Sequence, residues 1–458
     1  MTILLQLPAE LLIRITEYST LNCCKSLSLA NARLHKFLEP IVFTCLQVSN
    51  HVKDEDSLRA VLHKYGRCVA KLSFVLRLLP GTDDEGSDET DGHSTREEDN
   101  APRQDGLAPL IKDILSGQLC HNVCDINVTI LAADNFDGDD WGDDSGNIYM
   151  HQDPESQAQV SEQEQSFTWR ATMNEAYQAL ASRTGVKTLR LRAVVPRGCS
   201  VFYAPEWQQF LGNIHEFSVE LWGGDNGAGW HSNTQPGYAD FIQKMNEFFF
   251  RHLQTAERVT FTADHQNPIG MEPNFHHPPT PFQPKDMPKL KHLTMENFFI
   301  DPALANFIRS HSQQLESLTL TECYGSPDVS AAHPYTWEEF FKSIRDTNPT
   351  LTFLHVTNGR APLTQAEEFH RAEAEDEDAA FQPSEDEAAE IKHVRQRLRE
   401  DPKLRVWPYV YLDDKYGMVF CDEEENVTAF AAGADQREFE ALLRVVEDSK
   451  QKKRERGS

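Results

Sequence analysis

The stretch that decides the fold is LKHLTMENF at residues 290–298, together with its close copy LESLTLTEC at residues 315–323. In both stretches apolar residues stand at positions i, i+3 and i+5, and a further apolar residue or a cysteine stands at i+8. Alternation over the central positions places every second side chain on the same face, which is typical of a short β-strand with one buried side. Each stretch therefore predicts a turn residue followed by a short strand.

The same spacing recurs along most of the chain, which indicates a repeated structural unit. Clear copies begin at residues 186, 214, 290, 315 and 351, and weaker copies begin at residues 69, 123 and 256. Helical spacing appears between several copies, for example at residues 238–253, 301–308 and 336–344. Strands and helices in alternation predict a mainly parallel sheet of stacked units, an α/β solenoid over residues 49–360.

Charge is distributed unevenly along the 458 residues, whose formal net charge is −28. Segment 81–105 holds 10 acidic and 2 basic residues, segment 134–164 holds 10 acidic residues and no basic one, and segment 361–390 holds 11 acidic residues and 1 basic one. We interpret the first two as acidic disordered inserts between strands and the third as an acidic linker. The strongly acidic balance argues against nucleic acid and anionic membranes as partners, because both attract positive surfaces.

The segment after the linker predicts a small C-terminal α/β cap at residues 391–458. Residues 391–400 have the composition of a charged helix, residues 404–431 predict a hairpin rich in Trp and Tyr, and residues 435–446 have helical spacing. The basic tail at residues 450–456 fits either a nuclear-import signal or a solvated chain terminus.

The sequence carries none of the common enzyme signatures. It contains no GxGxxG, GxxxxGK[ST], HExxH or GxSxG motif, so we predict no catalytic residue and no cofactor. The 9 cysteines form no CxxC pair, so we predict no metal site, and their odd number indicates free thiols in a reducing compartment. No run of about 18 apolar residues predicts a membrane span. We expect an intracellular protein, cytoplasmic or nuclear or both.

An aromatic, Gly-rich loop at residues 222–237 is the main candidate for an exposed recognition site in the repeat region. Trp222, Trp230 and His231 could form a pocket for a protein target at the carboxyl ends of the strands, where the loops of repeat proteins project. The alternative interpretation is that both indoles only plug the edge of the solenoid.

Residues 1–48 predict a separate apolar unit of three short helices. Leu7-Pro8 precedes the first helix, a second helix is expected over residues 21–30, and a third over residues 31–43. So many leucines in so short a segment cannot all be buried within it. We therefore expect the unit to offer an apolar face to another molecule or element.

This unit resembles an F-box. The matching residues are Leu7-Pro8-Ala9-Glu10-Leu11-Leu12, followed by Ile15, Tyr18, Leu27, Leu29, Leu34, Phe37 and Leu38, with Glu39-Pro40 at the end. The resemblance implies that the unit docks on the Skp-type adaptor of a cullin–RING ubiquitin ligase. It also implies an adaptor-binding face, made of Leu7, Pro8, Leu11, Leu12, Ile15, Leu27 and Leu34.

The rest of the chain looks like the irregular leucine-rich-repeat proteins that are joined to F-boxes in filamentous fungi. The LxxLxL spacing and phrases such as LWGGDNGAGW and MPKLKHLTMENF support this resemblance. It implies an α/β architecture with an N-terminal three-helix F-box, an irregular leucine-rich-repeat solenoid and a small C-terminal α/β cap. In such a protein the repeats bind a protein target and the F-box binds the ligase, while ubiquitin transfer takes place on other subunits.

Two other classes of function stay open at this point. In a non-ligase interaction scaffold, the F-box-like helices would cap the first repeat, and their leucines would be buried within the chain. A hydrolase or transferase built on α/β units would need a cleft with clustered His, Cys or carboxylate side chains, and the sequence indicates none.

Overall fold

The structure is a computed structural model of the chain. It describes residues 7, 9–78, 106–131, 153–225, 229–270, 279–326, 335–357, 363, 388–413 and 415–457. The predicted insert at residues 81–105, the first part of the insert at 134–164 and most of the linker at 361–390 lie outside the described residues.

The chain begins with three short helices, as the sequence predicts. They are α1 (Ala9–Glu17), α2 (Leu21–Ala30) and α3 (Ala32–Val42). The side chain of Thr20 accepts a hydrogen bond from the Cys23 N–H at the start of α2, and the side chain of Asn31 accepts one from the Arg33 N–H at the start of α3. Such caps satisfy backbone donors that would otherwise lack a partner within the helix.

A nine-stranded parallel sheet follows, with its strands in chain order. The strands are β1 (Cys45–Ser49), β2 (Lys71–Arg77), β3 (Asp125–Leu131), β4 (Thr188–Val194), β5 (Glu216–Leu221), β6 (Arg258–Thr262), β7 (His292–Glu296), β8 (Ser317–Thr321) and β9 (Phe353–Thr357). Each of the eight predicted copies supplies one strand, which begins two residues after the first apolar residue of the copy. The predicted α/β class with a parallel sheet is thereby confirmed.

The first strand, β1, is absent from the sequence prediction. It straddles residue 48, where we set the boundary between the helical unit and the solenoid. The signal was present, because Phe43, Leu46 and Val48 have the same spacing as the other copies. The same segment overlaps the end of the third predicted helix, at residues 31–43, so a helix pattern and a strand pattern compete for it.

The register of the strands aligns apolar side chains in two rows on one face of the sheet. The first row is Leu46, Leu72, Ile126, Leu189, Phe217, Val259, Leu293, Leu318 and Leu354. The second row is Val48, Phe74, Val128, Leu191, Val219, Phe261, Met295, Leu320 and Val356. The interior members of both rows are almost completely buried. They form the main core together with the helices.

Helices connect the strands, and most of them pack against this apolar face. They are α4 (Glu55–Tyr65), α5 (Pro109–Ser116), α6 (Gln157–Ser166), α7 (Thr168–Ala181), α8 (Pro205–Gly212), α9 (Pro236–Phe248), α10 (Pro302–Ser310) and α11 (Trp337–Arg345). The sequence predicted the last three from helical spacing. Asp301 caps α10, and Thr336 with Glu339 forms a capping box at the start of α11.

The last twelve residues of the predicted insert at 134–164 are not a disordered acidic segment. From residue 153 the chain is described, and α6 begins with a capping box in which Ser156 and Gln159 bond to each other's backbone N–H. The side chain of Glu155 is buried and paired with two arginines. The prediction failed because a count of acidic residues treats every carboxylate as solvated, whereas this one is neutralised inside the fold.

The C-terminal cap contains the predicted hairpin and three helices. Its elements are α12 (Ala389–Glu400), β10 (Val410–Leu412), β11 (Val419–Cys421), α13 (Glu423–Ala432) and α14 (Ala434–Gly457). The helix α13 lies partly in the segment where only a hairpin was predicted. The helix α14 continues through the basic tail, and Lys453 Nζ lies 2.6 Å from Glu316 Oε2 of the repeat region.

A buried hydrogen-bond network fastens the cap to α11. The Trp337 indole N–H donates to the Pro408 carbonyl over 3.2 Å. The Tyr409 hydroxyl donates to the Asp435 carboxylate over 3.0 Å, and the backbone N–H of Glu338 donates to the same carboxylate over 2.8 Å. Burial raises the pKa of Asp435 from 3.8 to about 6, although these hydrogen bonds partly oppose the shift.

Asp435 is expected to make the stability of the chain depend on pH. Because its folded pKa lies above its unfolded value, the folded chain binds the extra proton between about pH 4 and pH 6. The stabilisation that this proton confers is complete in acid and is lost as the pH rises through 6. The free energy of unfolding of the natural chain, relative to that of Asp435→Asn, should therefore be larger at pH 5 than at pH 7.5 in urea titrations. A difference that is constant with pH would contradict the assignment.

Candidate functional site

The three-helix unit has a small core of its own. Leu12, Leu34 and Leu38 are buried at its centre. Half-buried apolar side chains surround them, namely Leu7, Leu27, Phe37, Ile41 and Val42. Two of the residues predicted to bind the adaptor, Leu12 and Leu34, therefore lie inside the unit and support its shape rather than form its surface.

Other apolar side chains of the unit project into solvent. Among the described residues, eight large apolar side chains are exposed, and four of these belong to this unit. The four, with their exposed fractions, are Leu11 (48%), Tyr18 (91%), Leu21 (47%) and Leu29 (86%). We call these four residues, together with the half-buried Ile15, the apolar face.

Helical geometry explains part of this surface. Leu11, Ile15 and Tyr18 are spaced by four and three residues, which places them along one side of α1 and its C-terminal turn. Leu12 is rotated by about 100° from Leu11 and points into the core of the unit. Leu11 and Leu12 are adjacent and both are leucines, so the sequence alone does not show which of the two faces outward.

The remaining predicted adaptor-binding residues differ in position. Leu7, Ile15 and Leu27 are half-buried, Leu11 is exposed, and Pro8 lies outside the described residues. Sequence reasoning left Tyr18 and Leu29 out of the predicted face, although both carry the F-box resemblance. Leu21 carried no signal of its own beyond its place at the start of the second predicted helix.

The unit is fastened to the solenoid through α3 and the residue that follows it. The Phe43 ring stacks on Tyr65 of α4 with centroids 3.9 Å apart and planes 6° from parallel. The ring Nε2 of His35 lies 3.1 Å from the Tyr65 hydroxyl, and Arg67 pairs with Glu39 over 3.3 Å. These contacts hold α3 on the first repeat while the apolar face stays open to solvent.

The second predicted site, in loop 222–237, is brought together around the tip of the cap hairpin. His231 is buried, its backbone N–H donates to the Tyr416 carbonyl over 2.9 Å, and its ring Nδ1 lies 3.0 Å from the Gln266 carbonyl. The Trp230 ring meets the Tyr416 ring edge-on at 5.4 Å. Trp222 is half-buried against the main core.

The same loop also binds the backbone of the hairpin. The Asn233 side-chain amide donates to the Gly417 carbonyl over 2.9 Å. Gly417 has φ +76°, and a Cβ at this position would overlap the side-chain oxygen of Asn233. The contacts of Trp222, Trp230 and His231 thus serve internal packing, which favours the interpretation that the indoles plug the edge of the solenoid.

A second surface, which the sequence analysis did not name, is the polar face of the sheet. Its central row is Gln47, Ser73, Asn127, Arg190, Ser218, Thr260, Thr294, Thr319 and His355. These side chains are half-buried or exposed, in contrast to the buried apolar rows behind them. The signal was the alternation itself, since the positions between the core residues must face the other way.

Ion pairs organise the polar face around β4. Arg190 lies between Asp125 and Glu216, with nitrogen–oxygen distances of 2.7 Å to each carboxylate. Hydroxyl side chains dominate the strands that follow. The face therefore combines fixed charges with small polar groups, a surface that a protein partner can approach closely.

The described residues contain no cluster of metal-ligating side chains, and two of their thiols, those of Cys120 and Cys323, are buried. No group of three or more His, Cys, Asp or Glu side chains in this part of the chain is arranged to hold a metal ion. Burial raises the pKa of Cys120 to about 11 and that of Cys323 to about 12, so both thiols stay protonated and poorly nucleophilic.

Neither a protein-family model nor a curated protein matches the chain. None of the helices in the described ranges is both long and apolar enough to cross a membrane. The two candidate functional surfaces are the apolar face of the three-helix unit and the polar face of the sheet.

Proposed function

We propose that the chain is the substrate-recruiting F-box subunit of a cullin–RING ubiquitin ligase. Its apolar face docks on the Skp-type adaptor, and its repeats bind a protein target. The observation that carries the proposal is the exposure of Leu11, Tyr18, Leu21 and Leu29 on a unit that already has a core of its own.

Exposure of these residues is costly unless another molecule covers them. Full burial of one large apolar side chain contributes roughly 1.5–3 kcal/mol. Tyr18 and Leu29 are almost fully exposed, and this short unit carries four of the eight large apolar side chains that are exposed among the described residues. Such a concentration of exposed apolar side chains is typical of an interaction site. An adaptor that covers the apolar face would gain this energy without any rearrangement of the buried residues Leu12 and Leu34.

The polar face of the sheet supports the other half of the proposal. It extends over nine strands and faces away from the packed helices, so a folded protein can lie against it. Because ubiquitin transfer would take place on other subunits, the chain itself needs only to bind two partners. The buried, protonated thiols of the solenoid agree with such a role.

The alternative is an interaction scaffold whose first three helices only cap the repeats. In that case the leucines of α1 and α2 would be covered by the solenoid. The structure favours adaptor docking over this alternative, because α3 makes the contacts to Tyr65 while Leu11 and Leu29 stay exposed.

A binding experiment tests the proposal with two exposed substitutions. The variant Leu11→Asp with Leu29→Asp should bind a purified Skp-type adaptor at least tenfold more weakly than the natural chain, because each aspartate would have to be desolvated in the interface. The matched control is Val61→Asp, since Val61 is exposed on α4 outside the apolar face. Its affinity should be unchanged. Equal affinity of all three proteins would refute adaptor docking through this face.

A further inference from the structure

The two edge strands of the nine-stranded sheet differ in how far their outward backbone groups are covered. In a parallel strand, the N–H and C=O groups of one residue point to the same side, and those of the next residue point to the opposite side. An edge strand therefore bonds its neighbour with every second residue and turns the others outward. The edge strands here are β1 and β9.

The pairing of β1 with β2 fixes which of its residues point outward. The Lys71 N–H donates to the Thr44 carbonyl over 3.0 Å, and the Asn50 N–H donates to the Val75 carbonyl over 3.3 Å. Even-numbered residues from 44 to 50 therefore face β2. The N–H and C=O groups of Cys45, Gln47 and Ser49 consequently point away from the sheet.

The corresponding groups of β9 are partly covered by the cap. The Phe353 N–H donates to the Glu316 carbonyl over 3.1 Å, so the odd-numbered residues of β9 face β8. The outward carbonyl of Val356 accepts a hydrogen bond of 2.6 Å from Nη1 of Arg405, which follows α12. The cap thus occupies part of this edge.

Within the described residues, no such cover lies over β1. Cys45 and Gln47 are exposed, and within the described part of the chain no backbone hydrogen bond reaches the outward groups of Cys45, Gln47 or Ser49. Its sequence, CLQVS, also contains neither a charge nor a proline, the usual means by which proteins prevent strand addition at an edge.

We propose that the outer edge of β1 accepts an extended segment of a partner protein as a tenth strand. The segment must carry apolar side chains at alternate positions, because these extend the rows that end at Leu46 and Val48. Leu46 is only half-buried, whereas its neighbour in the row, Leu72, is 1% exposed, so the edge of the core has room for one more apolar layer. Polar side chains of the segment would lie beside Gln47 on the polar face.

Strand addition would use surfaces distinct from the apolar face. The edge of β1 presents backbone groups, whereas adaptor docking uses side chains of α1 and α2. The two proposals can therefore fail separately, and a variant at residue 47 leaves Leu11 and Leu29 unchanged.

A peptide with the sequence of β2, KLSFVLR, is a suitable probe because it has the required alternation. The natural chain should bind it, and Gln47→Pro should weaken binding at least tenfold, because proline removes an outward N–H and leaves the hydrogen bonds to β2 intact. Gln47→Ala keeps the N–H and should bind within about twofold of the natural chain. Equal binding by the proline variant, or no binding of this peptide to the natural chain, would overturn the proposal.

Hydrogen exchange on the natural chain gives a test that does not depend on the folding of any variant. Saturating peptide should slow amide exchange at Cys45, Gln47 and Ser49 and leave exchange in β9 unchanged. A peptide of the same composition with its alternation broken should protect none of these amides. The proposal is wrong if the three amides stay unprotected, or if both peptides protect them equally.

Discussion

Replacement of Glu155 by glutamine is expected to lower the free energy of unfolding by about 3–5 kcal/mol. The Glu155 carboxylate is buried, with one oxygen 2.9 Å from Nη2 of Arg170 and 3.1 Å from Nη2 of Arg197. Both guanidinium groups are buried as well. The substitution would leave two buried positive charges without their shared counter-ion, which costs more than the loss of a surface ion pair.

Urea unfolding of two variants measures this effect. Glu162 lies on the adjacent helix α6, is exposed, and offers the same chemical change in the matched control Glu162→Gln. The control should alter the free energy of unfolding by no more than about 0.5 kcal/mol. If the two variants were equally stable, residue 155 would belong to a solvated insert and the described packing of this segment would be incorrect.

Gly417→Ala should destabilise the attachment of the cap hairpin by about 2–5 kcal/mol. Gly417 has φ +76°, a conformation that costs residues with a Cβ about 1–2 kcal/mol. The added methyl group would also overlap the side-chain oxygen of the buried Asn233, and such overpacking typically costs about 1–3 kcal/mol. The contact between Asn233 of the loop at 222–237 and the hairpin would then be disrupted.

A second glycine separates the two contributions. Gly433 has φ +65°, but a Cβ there would meet the flexible end of the Arg437 side chain at 3.3 Å and the Phe430 carbonyl at 3.9 Å, an ordinary contact distance. Gly433→Ala should therefore show only the conformational cost, about 1–2 kcal/mol. Thermal unfolding and amide exchange of residues 409–421 report both effects. Equal losses in the two variants would show that the hairpin tip is not packed against Asn233.

The strands were predictable because their signal is local and repeated. The spacing found at Leu290 occurs in eight predicted copies, that one included. In each copy the strand begins two residues after the first apolar residue. The ninth copy at Phe43 has the same spacing but lies next to a predicted helix. One segment can match two patterns, and the sequence alone does not show where one unit ends.

The candidate site was less predictable because it depends on distant contacts. The sequence does not distinguish Leu11 from Leu12, because both are leucines. Only the packing against α3 shows that Leu12 is buried and Leu11 is exposed. The packing of the loop at 222–237 was not predictable, because its partner, the hairpin at Gly417, lies 184 residues away from Asn233 along the chain. The polar face of the sheet was implicit in the alternation but carries no distinctive motif.

Amide hydrogen exchange of the full chain, with and without a purified Skp-type adaptor, tests the central claim most directly. The proposed docking predicts slower exchange over residues 11–30 when the adaptor is added, because the adaptor would cover the exposed side of α1 and α2. Exchange in the sheet, from β2 to β9, should stay unchanged. Exchange over residues 11–30 that remains the same at saturating adaptor would contradict the assignment of the three-helix unit as an F-box.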